Sequence, residues 1–188
     1  MANKDFAFGL KPVRTLGVTS NFTANEYTIP SGASNAIYQG SLVIATADGD
    51  VDIAAASSAD IVGVFYGCFY TDPTTGKPTF SNYYPGSIAA SDIVATVYDD
   101  PRIVFEVQCD GTLADTAVGE NADTTSTTSG STTTGLSSTE ISASTGASAA
   151  QLRIIGISKD PDNSDTSSAN TNAYVLINEH AYTQTAGT

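Results

Sequence analysis

Few positions in this 188-residue chain carry the side chains that reactions require. The sole histidine, His180, could act as a base or a metal ligand, but acyl chemistry needs a Ser or Cys nucleophile beside it. No Gly-x-Ser-x-Gly elbow occurs, so an enzyme built from this chain would be a hydrolase assembled around His180 from distant segments. Cys68 and Cys109 have no Cys-x-x-Cys or Cys/His spacing, which speaks against zinc and for buried free thiols. Asp48-Gly49-Asp50-Val51-Asp52 alternates carboxylates as a calcium loop begins. Ile53 and Ala59 then occupy the places where an EF-hand needs Gly and Glu. Asp160-Pro161-Asp162-Asn163-Ser164-Asp165 is a second oxygen-rich loop without that signature. Both read as solvated turns, with weak calcium binding as the alternative. Asp110-Gly111-Thr112 departs from the Asp-Thr-Gly order of an aspartic protease and reads as a hairpin turn. The pattern implies no catalytic residue, no metal and no cofactor.

Charge narrows the partners. Seven Lys and Arg stand against twenty Asp and Glu, a net charge of -13, although only 14% of residues are charged. Nucleic-acid binding needs clustered basic residues to release counterions, and an anionic membrane surface would repel such a chain. No apolar run approaches the length of a spanning helix, and Met1 to Leu10 lacks the apolar centre of a signal peptide, so synthesis in the cytosol without general secretory export is expected. Asn21-Phe22-Thr23 then matches a glycosylation acceptor by chance. Lys4, Lys11 and Arg14 are three of the seven basic residues, so the first fourteen positions are locally basic and the remainder acidic.

The elements that would position these groups are strands. Glu26–Ile29, Ala36–Tyr38, Ser41–Ile44 and Val51–Ile53 are short β-prone runs, with a hairpin signal at Asp48-Gly49-Asp50. Asp60–Tyr70 reads as a buried strand whose Gly63 and Gly67 mark a bulge or a close backbone approach. Tyr83-Tyr84-Pro85-Gly86 reads as a turn. Ile93–Tyr98 and Ile103–Gln108 follow, the latter half-buried with Ile103, Phe105 and Val107 facing inward. Ala114–Asp123 has room for a helical turn. Residues 124–139 hold thirteen Ser or Thr in sixteen positions and read as an exposed loop or edge ribbon. Gln151–Ser158 and Ala173–Asn178 complete the set. The tyrosines of Phe69-Tyr70 and Tyr83-Tyr84 suit core and edge packing better than a contact surface. The expectation is an all-β protein: an antiparallel sandwich or jelly-roll-like domain over residues 21–182, an extended N-terminal arm over 1–20 and a frayed tail over 183–188.

Beyond composition, certain phrases have a familiar order. The opening Met1-Ala-Asn-Lys4-Asp-Phe6-Ala-Phe8-Gly-Leu10-Lys11-Pro12-Val13-Arg14 resembles the start of small structural proteins encoded beside the major capsid protein in tailed bacteriophages. Asp100–Gly111, Val118–Asp123, Leu152–Gly156, Pro161–Asn163 and Val175–His180 follow in the corresponding order. That group comprises capsid decoration, or cement, proteins. The resemblance implies a β-rich, jelly-roll-like homo-oligomer, a dimer or trimer, on the outer capsid surface, made in the host cytoplasm and partnered by the major capsid protein. Phe6, Phe8 and Leu10 are then the expected apolar anchors, and Lys4, Lys11 and Arg14 the expected partners of an acidic capsid surface. The alternative is a non-enzymatic binding module, tail-associated or carbohydrate-binding.

Overall fold

A computed structural model describes residues 2–17, 22–146 and 148–183. The protein is an all-β, antiparallel, sandwich-like structure. Its B sheet has the order β2 (Asn25–Thr28), β9 (Val94–Tyr98), β6 (Ile61–Thr71), β4 (Leu42–Ala45) and β5 (Val51–Ile53), and β7 (Pro78–Ser81) also pairs with β6. Its A sheet has the order β1 (Lys11–Thr15), β10 (Ile103–Gln108), β14 (Asn172–Ile177), β13 (Leu152–Ile157), β11 (Asn121–Thr125) and β12 (Glu140–Thr145). A short pair, β3 (Ile37–Tyr38) and β8 (Tyr83–Tyr84), forms a third sheet.

The long strand β6 is apolar throughout because it serves two cores. Val64 and Ile61 join Leu42 and the inner face of the A sheet, including Phe105, Leu152 and Val175. Val62, Phe65, Cys68 and Tyr70 join a second cluster with Val43, Val97, Ile37 and Tyr84. The two glycines have the expected uses. A Cβ on Gly63 would strike the carbonyl oxygen of Tyr98, and the register between β6 and β9 shifts between Phe65 and Gly67. Both sheets curl. Just beyond β10, Cys109 bridges Ile141 of β12, with Asp110 N–H donating to the Ile141 carbonyl at 2.9 Å. Thr28 Oγ1 bonds the Asp50 carboxylate, tying the two edges of the B sheet together.

Several sequence readings change. Of the expected arm, residues 11–15 are the edge strand β1, paired with β10, so this stretch is part of the body; residues 1 and 18–20 lie outside the described residues. Tyr83-Tyr84 is a strand, and Tyr84 and Tyr70 are buried. Asp110–Thr112 is not a hairpin turn. β10 and β11 are not neighbours, and the chain crosses between them through a single 3-10 turn at Asp115–Ala117, within the stretch expected to turn helically. Strand β10 is buried on both faces at Gln108, which the N-terminal residues cover. The Ser/Thr ribbon is exposed only at its tip. Its returning half pairs with the backbone of Gln39, and Ser137 and Thr139 are buried with mutually bonded hydroxyls. Small side chains allow this, and Gly130 lies flat against the Tyr38 ring. The expected frayed tail lies outside the described residues from 184 onward.

Candidate functional site

β1 is an edge of the A sheet. Beside it lies a groove of about 530 Å³ lined by Tyr66 and Tyr98 of the B-sheet strands and by Phe6, Phe8 and Pro12. Aromatic rings extend this surface. Phe22 meets Tyr98 edge-on at 6.3 Å, Tyr98 lies 5.4 Å from Tyr66, and Tyr66 lies 6.4 Å from Phe80. Phe80 stands directly across from Phe69 in the β6–β7 pair, and the two are 59% and 46% exposed. Phe22 and Tyr98 are half-buried against the first core, whereas Tyr66, Phe69 and Phe80 are exposed, and grouped exposed rings mark an interaction surface more often than a solvated face.

Residues 2–10 form the far wall, and local chemistry fixes their path. At Gly9 and Gly40 two backbone segments cross. A Cβ on Gly9 would approach the Gly40 carbonyl oxygen to 2.8 Å, and both residues have left-handed φ, +73° and +91°. The Leu10 N–H donates to that same carbonyl at 2.9 Å, and its side chain, 2% exposed, enters the first core. Nearer the start of the chain, the Gln108 amide reaches the arm's backbone. Phe6 N–H donates to Gln108 Oε1 at 3.0 Å, and Gln108 Nε2 donates to the Lys4 carbonyl at 2.8 Å. Asn163 Nδ2 donates to the same carbonyl at 2.7 Å. Asn3 Nδ2 donates to the carbonyls of Asp165 and Ala169, each at 2.9 Å.

The structure therefore sorts the six residues expected at a contact. Phe6, Phe8 and Lys11 border the groove, and Phe6 is exposed. Leu10 reaches the groove floor but is committed to the core. Lys4 is ion-paired with Asp162, which holds its ammonium pKa above the usual value. Arg14 is exposed on β1 with no ion pair among the described residues. Around Phe6 the local charge is acidic: Glu106 and Asp160 line the groove, and Asp5 and Glu140 line a second recess of about 450 Å³ on its other side. Burial, with Asp110 and Asp5 nearby, pushes the Glu140 carboxyl pKa up. Phe6 thus stands among acidic groups, with Lys11 the basic residue that lines the groove.

The other chemical candidates have structural partners, except that His180 Nε2 is buried without a hydrogen-bond partner among the described residues. His180 is fully buried; its Nδ1 accepts from Tyr182 N–H at 3.2 Å, and among the described residues no Ser, Thr or Cys side chain bonds its ring. Burial lowers its pKa below 6.5, opposed by nearby Asp99 and Asp100. Asp99 accepts from both Asn25 Nδ2 and Tyr27 Oη. In the first acidic loop Asp50 bonds Thr28 and Asp52 accepts from Asn35; in the second, Asp160 and Asp165 accept backbone N–H groups. No group of three or more metal-binding side chains occurs among the described residues. Cys68 and Cys109 are free and buried in separate clusters.

Tyr66, Tyr98 and Phe80 carried no distinguishing signal in the sequence, because aromatic residues in strands are ordinary core formers. Gln108 reads there only as a polar residue on an outward face. No helix among the described residues is long and apolar enough to cross a membrane. No family model matches the chain, and no curated protein or solved structure matches it at a significant level.

Proposed function

We propose that this protein is a non-enzymatic structural component of a tailed-phage virion, made in the host cytoplasm, that binds the outside of the assembled capsid as a dimer or trimer and stabilises it by bridging capsid subunits. The observation that carries this reading is the groove beside β1. Its lining is mainly apolar, with a few polar groups from Lys11, Gln39, Glu106, Asp160 and Asn172, as suits the central contact of a protein interface. Burying an exposed Phe contributes roughly 1.5–3 kcal/mol, and Phe6, Phe69 and Phe80 each leave much of that unrealised in the free chain. The phage assignment itself rests on the ordered phrases from Met1–Arg14 to Val175–His180.

The test is co-sedimentation with capsids of the encoding phage that lack this chain. Binding with a rise in capsid melting temperature is expected, and Tyr66→Ser should weaken it. Capsids that neither bind the protein nor gain stability would overturn the reading. A ring row also suits stacking on sugars, so a glycan array that captures the protein while capsids do not would favour the carbohydrate-binding alternative.

A further inference from the structure

We propose that Phe6 is a preorganised anchor of this surface, held in place by Gln108 and Asn163, two buried positioning residues whose amides bond the Lys4 carbonyl and the Phe6 N–H on either side of Asp5. The proposal rests on the capsid-binding reading and names its contact. An exposed aromatic on a segment outside any strand would ordinarily sample many positions, and binding would have to order it. Phe6 differs in being 66% exposed while its own N–H and the Lys4 carbonyl are both engaged by buried side chains.

The burial of Gln108 points the same way. A glutamine amide that is 1% exposed within a strand is costly unless both ends are bonded, and both ends of this one are used on the arm. Asn163, 6% exposed, divides its amide between the Lys4 and Asn170 carbonyls, each at 2.7 Å. The body is therefore shaped to receive residues 3–6. Recesses of about 530 and 450 Å³ flank the ring, so Phe6 stands as a ridge that a complementary socket can clasp from both sides.

Charge selects the occupant. Asp5, Glu106, Glu140 and Asp160 line the two recesses against Lys11 alone, and a second copy, itself of net charge -13, is a poor electrostatic match. The occupant is an apolar socket on the capsid subunit, flanked by Lys or Arg.

The experiment pairs two measurements on the full chain: hydrogen exchange of residues 3–8 in the free protein, and affinity for the undecorated capsids. Wild type should show protection at Phe6, and Phe6→Ala should weaken capsid binding about tenfold or more without changing that of the body. Gln108→Leu, which alters no surface group, should speed exchange across 3–8 and weaken binding. In a Phe6→Ala background it should cause no further loss, since a purely structural role would add its effect regardless of the ring. If Gln108→Leu does not fold, Asn3→Ala, which cuts the ties to Asp165 and Ala169 from the arm's side, takes its place. Unprotected amides in wild type, unchanged binding by Phe6→Ala, or equal losses from Gln108→Leu in both backgrounds would overturn the anchor. Wild type that ignores capsids while residues 3–8 are protected would instead overturn the capsid reading and the anchor's partner, leaving the clamp itself established.

Discussion

His180 titrates where pH is easily varied, and its burial fixes the sign of the effect. Its folded pKa lies below 6.5 because desolvation penalises the charged ring, so the unfolded chain takes up the proton first. This contribution to stability is fully present above pH 6.5 and is lost as pH falls toward the lowered folded value. Urea unfolding of wild type and His180→Asn should therefore differ in slope against pH just below 6.5, with the variant less stable overall but flatter. At the Gly9–Gly40 crossing the constraint is steric. Gly40→Ala places a Cβ about 3.0 Å from Leu10 N in a left-handed backbone, and such a conformation alone costs about 1–2 kcal/mol. The unfolding midpoint should drop accordingly, with protection of residues 8–10 falling first.

At the level of elements, β6 is the strand on which both clusters depend. It pairs with β9, β4 and β7 and lends side chains to each core, so its amides open only when the protein unfolds globally. Hydrogen exchange should be slowest over Val62–Cys68, and faster in β12 and at the tip of the Ser/Thr ribbon. Strands like β6 were legible in the sequence because β-branched and aromatic residues carry their own signal. β1, β11 and β12 were not: Lys11-Pro12-Val13-Arg14-Thr15 and the Ser/Thr-rich stretches have no apolar period, and they become strands through the neighbours that pair with them. The site divides in the same way. Phe6, Phe8 and Leu10 are visible as apolar residues, but which of them turns inward is decided by the Gly40 crossing, thirty residues away. Gln108's role depends on residues more than a hundred positions distant.

Across the whole molecule, the two thiols report on integrity. They sit in different clusters, and burial pushes their pKa values up to about 12 for Cys68 and about 11 for Cys109. A thiol reagent near neutral pH should label neither in the folded protein and both together on unfolding, and reductant should leave the melting temperature unchanged. Labelling of one thiol without the other would show that the two cores open separately. The division of the chain is equally global. Residues 25–98 build the B sheet and 103–177 the A sheet, and β1 alone joins a sheet made by the other half. A ribosome delivers Leu10 and β1 first and their partner β10 some ninety residues later, about 5–20 seconds at ordinary elongation rates. Throughout that interval the nascent chain carries an edge strand with no sheet to join, although Leu42, Ile61 and Val64 of the cluster around Leu10 are already made, so β1 is among the last strands to pair.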